Sequence, residues 1–390
     1  MKIPSYNKIP LLVKVVIAII LGVLVGLAAP GWLVRTMNTF NGIFDQLLKF
    51  IIPLIIIGMV VPAISDIGRQ AGLMLVATAA LAYGFTVLSG SFAYLFSAAW
   101  FPKILTGTAM TALEDTGVSF PAFFSIQIPP LMEVMTSLVL SFMVGLGIAA
   151  FDAKAIRKAF GEFRVIVEST ISSVILPLLP IYIFVLFLDM AAVGKVGTVL
   201  LAFMKVIVII FSMTLVLLVI QYCIAGLIAG RNPFRSLSRM LPAYFTALGT
   251  SSSAATIPVT LRQTVANGVD ERIAGFVVPL CATIHLSGST LKITSCAIAL
   301  MIMTGHSFDF PMMLGFIMML GVTMVAAPGV PGGAIMAALG VLESMLGFDP
   351  AEQAMMITLY IAMDSFGTAC NVTGDGAIAL IMNRLSNTQK

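Results

Sequence analysis

Residues 249–258 read Gly249-Thr250-Ser251-Ser252-Ser253-Ala254-Ala255-Thr256-Ile257-Pro258, in the middle of an otherwise apolar stretch. A run of hydroxyls, alanines and a proline has neither the apolar length of a spanning helix nor the charge of an aqueous loop. A second interruption, Ala326-Ala327-Pro328-Gly329-Val330-Pro331-Gly332-Gly333, follows. Non-helical backbone at membrane depth is tolerated only where it is buried in protein or lines a wet cavity. Two such breaks facing each other near the midplane point to a solute-binding site. Their free N–H ends suit an anionic group such as a carboxylate.

Composition explains why membrane depth is the right frame. The chain has 390 residues, 59% hydrophobic and 10% charged, against about 25% charged in a soluble domain. Such a chain cannot cover its surface with polar groups in water, whereas lipid requires no such cover. The net charge of +4 is small, and Lys and Arg sit in short loops, which excludes nucleic acid as a partner. Cys223, Cys281, Cys296 and Cys370 lie in apolar stretches without a CxxC pair and read as buried thiols. The first apolar run follows Lys2, Lys8 and Lys14, is long enough to span and lacks a clear cleavage site, so it reads as a membrane helix and not a cleavable signal.

Spanning helices need about 20 apolar residues. The apolar runs place six at Leu11–Ala29, Phe44–Ile67, Gly72–Ala98, Pro130–Phe151, Ser169–Ala192 and Thr198–Ile228. Two more are expected at Ile273–Met303 and Ala354–Ile381, with broken stretches at Pro233–Val265 and Phe310–Leu346. Positive charge collects before the first span, after the second (Arg69), the fourth (Lys154, Arg157, Lys158, Arg164) and the sixth (Arg231, Arg235, Arg239), and at the end (Arg384, Lys390). The alternate loops hold little beyond Arg35, Lys103 and Lys195. The positive-inside rule then puts both termini in the cytoplasm with eight crossings, in a plasma or bacterial inner membrane. Each broken stretch must enter and leave on one side. The expected fold is therefore an all-α membrane protein of eight transmembrane helices plus two re-entrant helical hairpins. A plain helix–loop–helix with its tip in water would put the charged loops on the wrong side.

The segment Asp364-Ser365-Phe366-Gly367-Thr368-Ala369-Cys370-Asn371-Val372-Thr373-Gly374-Asp375 carries two carboxylates in a lipid-depth helix. Asp364, Thr368, Asn371 and Asp375 are spaced i, i+4, i+7, i+11, one polar stripe along about 16 Å of helix. An intramembrane carboxylate is costly without a partner and marks a functional position by default. The bland reading, two acids that only hydrogen-bond neighbouring helices, doubles that cost.

Taken together, Ser251-Ser252-Ser253 with Thr256-Ile257-Pro258-Val259-Thr260, then Gly329-Val330-Pro331-Gly332, then Asn371-Val372-Thr373-Gly374-Asp375 resemble, in order, motifs of the dicarboxylate/amino acid:cation symporter family, the glutamate-transporter homologues. The motif match covers Ala243–Arg384; the N-terminal half matches in span pattern and in short echoes such as Lys49 with Pro53. The resemblance implies an elevator-type homotrimer in a lipid bilayer. Spans one, two, four and five would form a fixed scaffold, and spans three, six, seven and eight with both hairpins a moving transport domain. Along the chain this divides residues 1–230, six helices, from a transport core at 231–390. By resemblance, Asp364 receives a substrate α-amino group, Asn371 and the backbone around Ser252 and Ser253 hold the α-carboxylate, Thr368 lies beside the substrate, and Asp375 is a sodium ligand. Ser251 and the second-tip residues Val330 and Gly332 complete the candidate substrate site.

Three departures from the family pattern shape the expected chemistry. Acidic-substrate members carry an Arg where Gly367 stands, so a side-chain carboxylate loses its bidentate partner. The seventh helix reads His285-Leu286-Ser287-Gly288-Ser289 in place of Asn-Met-Asp-Gly-Thr, replacing an acidic ligand by Ser287 and an Asn by His285. The polar positions of the family's third span fall near Ala79, Ala82 and Tyr83, so one sodium site looks dismantled. Third, Lys292 lies two turns beyond His285 and can neutralise a carboxylate that sodium neutralises elsewhere. Ion coupling thus points to His285, Ser287, Lys292, Asn371 and Asp375, with proton or sodium as the ion and no cofactor. A hydrolase triad of Ser252, His285 and an aspartate lacks a nucleophile elbow, and two hairpins around one compact site disfavour an open channel. The expected function is cation-coupled symport of a small neutral amino acid. The alternative is sodium-coupled symport of a small carboxylate or dicarboxylate.

Overall fold

Proline and glycine set the helix boundaries. In the computed structural model, residues 10–69, 73–105, 119–325, 327 and 332–388 are described, and among them there is no strand. In chain order the helices are α1 (Leu11–Gly26), α2 (Gly31–Arg69), α3 (Leu73–Leu105), α4 (Val134–Phe151), α5 (Lys154–Thr170), α6 (Leu176–Ala192), α7 (Val196–Ala229) and α8 (Pro233–Thr250). There follow α9 (Ser253–Ala266), α10 (Glu271–Ile284), α11 (Ser287–Thr304), α12 (Phe310–Val325), α13 (Gly333–Leu346), α14 (Pro350–Ala362) and α15 (Asp364–Thr388). Six helical stretches among the described residues are long and apolar enough to cross a membrane: Gly31–Ser65, Met74–Leu105, Val134–Phe151, Lys154–Ala192, Val196–Ala229 and Glu271–Thr304. α1 is shorter, and the α14–α15 pair carries carboxylates.

Two expected boundaries are corrected. The charged stretch from Lys154 to Glu168 continues the fifth helix instead of forming a loop. The pairs Lys158–Glu162 at 3.9 Å and Arg164–Glu168 at 2.9 Å support it at i,i+4 spacing. A π turn at Ile171–Ile175 joins it to α6 just before Pro177, whose missing N–H breaks the regular ladder. The eighth helix is not continuous either. It starts at Pro350 behind a capping box between Asp349 and Glu352 and is interrupted at Met363.

The helices pack in two groups. α1 lies along α6, and α2 along α4, α5 and α6; α3 lies along α11, and α7, α8, α9, α10 and α11 gather round α15. The α1–α6 contact is a small-xxx-small seam. A Cβ on Gly22 would stand 2.4 Å from the Phe184 carbonyl oxygen, and one on Gly26 would stand 2.3 Å from that of Leu188. Backbone cannot rotate aside as a side chain can. Gly26→Val should therefore lower the melting temperature of the detergent-solubilised protein, with an overpacking penalty of about 1–3 kcal/mol or more. Gly147→Ala, where nothing lies within 4 Å, should melt like the parent; equal melting of both variants would refute the seam.

Candidate functional site

Interrupted helices converge on one cavity of about 530 Å³. Its wall includes the first hairpin tip, Ser251 to Ala254, together with Ser289 of α11, Tyr360 of α14, and Asp364, Thr368 and Asn371 of α15. Arg164 and Glu168 of α5 also line it and pair with each other.

The first tip puts the start of a helix on the cavity wall. Ser251 ends α8 in a left-handed conformation at φ 50°, and its hydroxyl lies 2.7 Å from that of Ser365. Ser252 caps α9, accepting from the Ala255 N–H. The start of α9, with the free N–H groups of its first turn, thus borders the cavity at Ser253 and Ala254. Of the second tip, Val330 lies outside the described residues. Gly332 is described: it sits at φ 74° before α13 and donates its N–H to Asp364 Oδ2 at 3.0 Å.

Asp364 is engaged on both oxygens. The Lys292 ammonium stands 3.6 Å from Oδ1. Lys292 is fully buried, donates to the Met363 carbonyl at 3.2 Å and lies 3.8 Å from the centre of the Tyr360 ring. Its stem crosses Gly367, where a Cβ would fall 2.2 Å from Lys292 Cε and 2.4 Å from Nζ. Glycine at 367 thus makes room for an ammonium arriving from α11. The carboxylate that Lys292 faces is that of Asp364.

Farther along α15, Thr368 turns its hydroxyl back to the Asp364 carbonyl at 3.0 Å. Asn371 Oδ1 accepts from the N–H groups of Gly288 and Ser289 at 2.7 and 3.4 Å, so it caps α11. Its Nδ2 donates to Ser289 Oγ at 3.3 Å, and Ser289 Oγ in turn lies 3.0 Å from the Tyr360 hydroxyl. α11 and α15 cross where Gly288 stands, since a Cβ there would be 2.6 Å from the Gly367 carbonyl oxygen. Beyond the cavity, His285 ends α10 in extended backbone, and its Nδ1 lies 2.8 Å from Asp375 Oδ1. Both side chains are buried. Ser287 Oγ accepts from Gln221 Nε2 at 3.0 Å, and the Ser287 carbonyl accepts from the Ser89 hydroxyl.

Asp364 and Asp375, one stripe on paper, thus serve two separate pairs, Lys292 and His285. Sequence reasoning missed Tyr360, Gln221, Ser289 and Ser365. Tyr360 is four residues before Asp364, so the i,i+4 rule could have found it; Gln221 is a lone amide in an apolar span, a signal in itself.

A family model described as the sodium:dicarboxylate symporter family matches residues 11–385. The chain belongs to the sodium:dicarboxylate symporter family. The serine/threonine transporter SstT of Acinetobacter baumannii (strain AYE) is 26% identical over 390 residues, covering 95% of each chain. The excitatory amino acid transporter 4 of Mus musculus is 33% identical over 168 residues, 42% of this chain and 29% of that protein. The human excitatory amino acid transporter 2 is 31% identical over 160 residues, 41% and 28% of the two chains. This symporter is accordingly a multi-pass membrane protein of a family of transporters, and ion coupling comes with the family.

At the second break, the described residue bonded to Asp364 is Gly332. At φ 74°, Gly332 occupies a region in which a β-branched residue is a strong outlier. Gly332→Val should slow uptake far more than it lowers the amount of folded protein in the membrane. Uptake that falls only in proportion to expression would remove the tip from the transport cycle.

Proposed function

We propose that the protein takes up small neutral amino acids with a coupling cation by an elevator movement. The observation that carries this is the cavity that joins the N–H-rich start of α9 to the Asp364 carboxylate. The first suits an α-carboxylate and the second an α-ammonium. Arg164, on the cavity wall, is paired with Glu168, which leaves no unpaired cation among the described lining residues for an acidic side chain. The name of the serine/threonine transporter relative agrees with this class of substrate. A small carboxylate is the second reading, favoured by the buried ammonium of Lys292 beside Gly367.

The two packing groups supply the moving parts. α1, α2 and α4–α6 form the scaffold of a trimer; α3 and α7–α15 form the transport domain, with α8–α9 and α12–α13 as re-entrant hairpins. In this reading eight crossings leave both termini in the cytoplasm. Residues 1–230 then hold the six leading helices, and 231–390 the transport core.

The coupling ion is a proton carried between His285 and Asp375. Sodium is a hard cation that prefers oxygen to an imidazole nitrogen, and here His285 Nδ1 stands directly against Asp375. Asn371 Oδ1 takes two backbone N–H groups, Asp375 Oδ1 faces His285 Nδ1, and Ser287 Oγ takes Gln221 Nε2. Proteoliposome uptake of labelled serine, alanine, aspartate and succinate under separate proton and sodium gradients tests the reading. Serine or alanine should accumulate under a proton gradient without sodium. Accumulation under a sodium gradient alone, or preference for aspartate or succinate, would reject the ion or the substrate respectively.

A further inference from the structure

We propose that Lys292 is a tethered counter-cation that takes the place of the substrate's ammonium beside Asp364 whenever the site is empty, letting the unloaded carrier recross the membrane so that the protein performs net uptake and not obligatory exchange. The inference rests on the reading of Asp364 as the ammonium acceptor.

A carrier that releases its substrate leaves a bare carboxylate at membrane depth, which is costly to move through a low-dielectric environment. Some cation must replace the departed ammonium. Lys292 is in place to do so: it is fully buried, and its ammonium stands 3.6 Å from Asp364 Oδ1. That separation is longer than the ~2.7–2.9 Å of a tight charge-assisted hydrogen bond, so the contact is one that an arriving ammonium can displace. Two other contacts hold Lys292 when it yields. The Met363 carbonyl accepts from Nζ at 3.2 Å, and the Tyr360 ring face lies at 3.8 Å. Gly367 keeps the path of the stem open.

The other oxygen of Asp364 is also engaged, since the Gly332 N–H donates to Oδ2 at 3.0 Å. An empty site with no net charge at the Asp364–Lys292 pair meets the condition for recrossing. Without Lys292, the empty site carries the charge of Asp364 alone.

The test uses the full chain in proteoliposomes, an inward proton gradient and labelled L-serine and L-alanine. Vesicles are either empty of amino acid, with choline as the only internal monovalent cation apart from protons, or preloaded with unlabelled substrate. The wild type should show net uptake into the choline vesicles as well as exchange. Lys292→Met should lower net uptake at least about ten times more than it lowers exchange, the pattern of a block centred on the empty return. Net uptake retained by Lys292→Met overturns the proposal, as does a parallel loss of both modes in folded protein. If the variant does not fold, the wild type decides alone: exchange without net uptake, or net uptake that requires internal sodium or potassium, overturns it. A wild type with neither mode for either amino acid overturns the underlying functional reading instead.

Discussion

Asp364→Asn is expected to abolish accumulation of serine and alanine and to lower thermal stability at the same time. Loss of one charge-assisted contact to the substrate ammonium removes about 1.5–3 kcal/mol, roughly a 10- to 100-fold weakening of binding. The second effect follows from Lys292, which is fully buried and has Asp364 as its ion-pair partner. Breaking one side of a buried pair typically costs about 3–5 kcal/mol, because it leaves an uncompensated charge. The double variant Asp364→Asn with Lys292→Met should recover much of the stability and none of the uptake. Melting curves and vesicle uptake on the four proteins of the cycle read both effects. Normal uptake by Asp364→Asn would remove Asp364 from the substrate site.

The second large effect is expected at His285. His285→Asn should bring proton-driven accumulation down to simple equilibration while substrate binding persists. The imidazole lies 2.8 Å from Asp375 and packs edge-on against Phe85 of α3. The other titratable side chains that bear on Asp375 are Tyr222, Cys281 and Cys370, all buried. Of these side-chain types, imidazole is the ordinary carrier of a proton in proteins. Accumulation ratios measured at several imposed proton gradients, with binding followed by thermal shift, separate the two quantities. An accumulation ratio that still tracks the proton gradient in His285→Asn would move the proton elsewhere.

The parts of this fold that chain-local physics controls were legible in the sequence. Hydroxyls and alanines at 249–258 announced a break, and the structure turns at Ser251 and Ser252. The break at His285-Leu286 fell where the family pattern suggested. The break at Met363 was hidden, because Ile361-Ala362-Met363 contains no proline, glycine or polar residue. The Lys292 contact to its carbonyl arrives from a position 71 residues away. The same limit applied to Gly367. Sequence comparison recorded a missing arginine there, whereas only the crossing of α11 and α15 reveals that an ammonium fills the space. Charge misled at Lys154–Glu168, since loop-like composition also describes a helix whose ends reach past the apolar layer.

The crossing of the Lys292 stem over Gly367 also ties two positions of the chain into one heritable unit. Any side chain at 367 would occupy the volume of Lys292 Cε and Nζ, and removing Lys292 first would strand Asp364. Neither position can drift alone without passing through a weakened intermediate. A lineage that exchanges this arrangement for a cation rooted on α15 must therefore change both residues nearly together, and the two positions should covary across descendants as lysine with glycine or as a small residue with a large one.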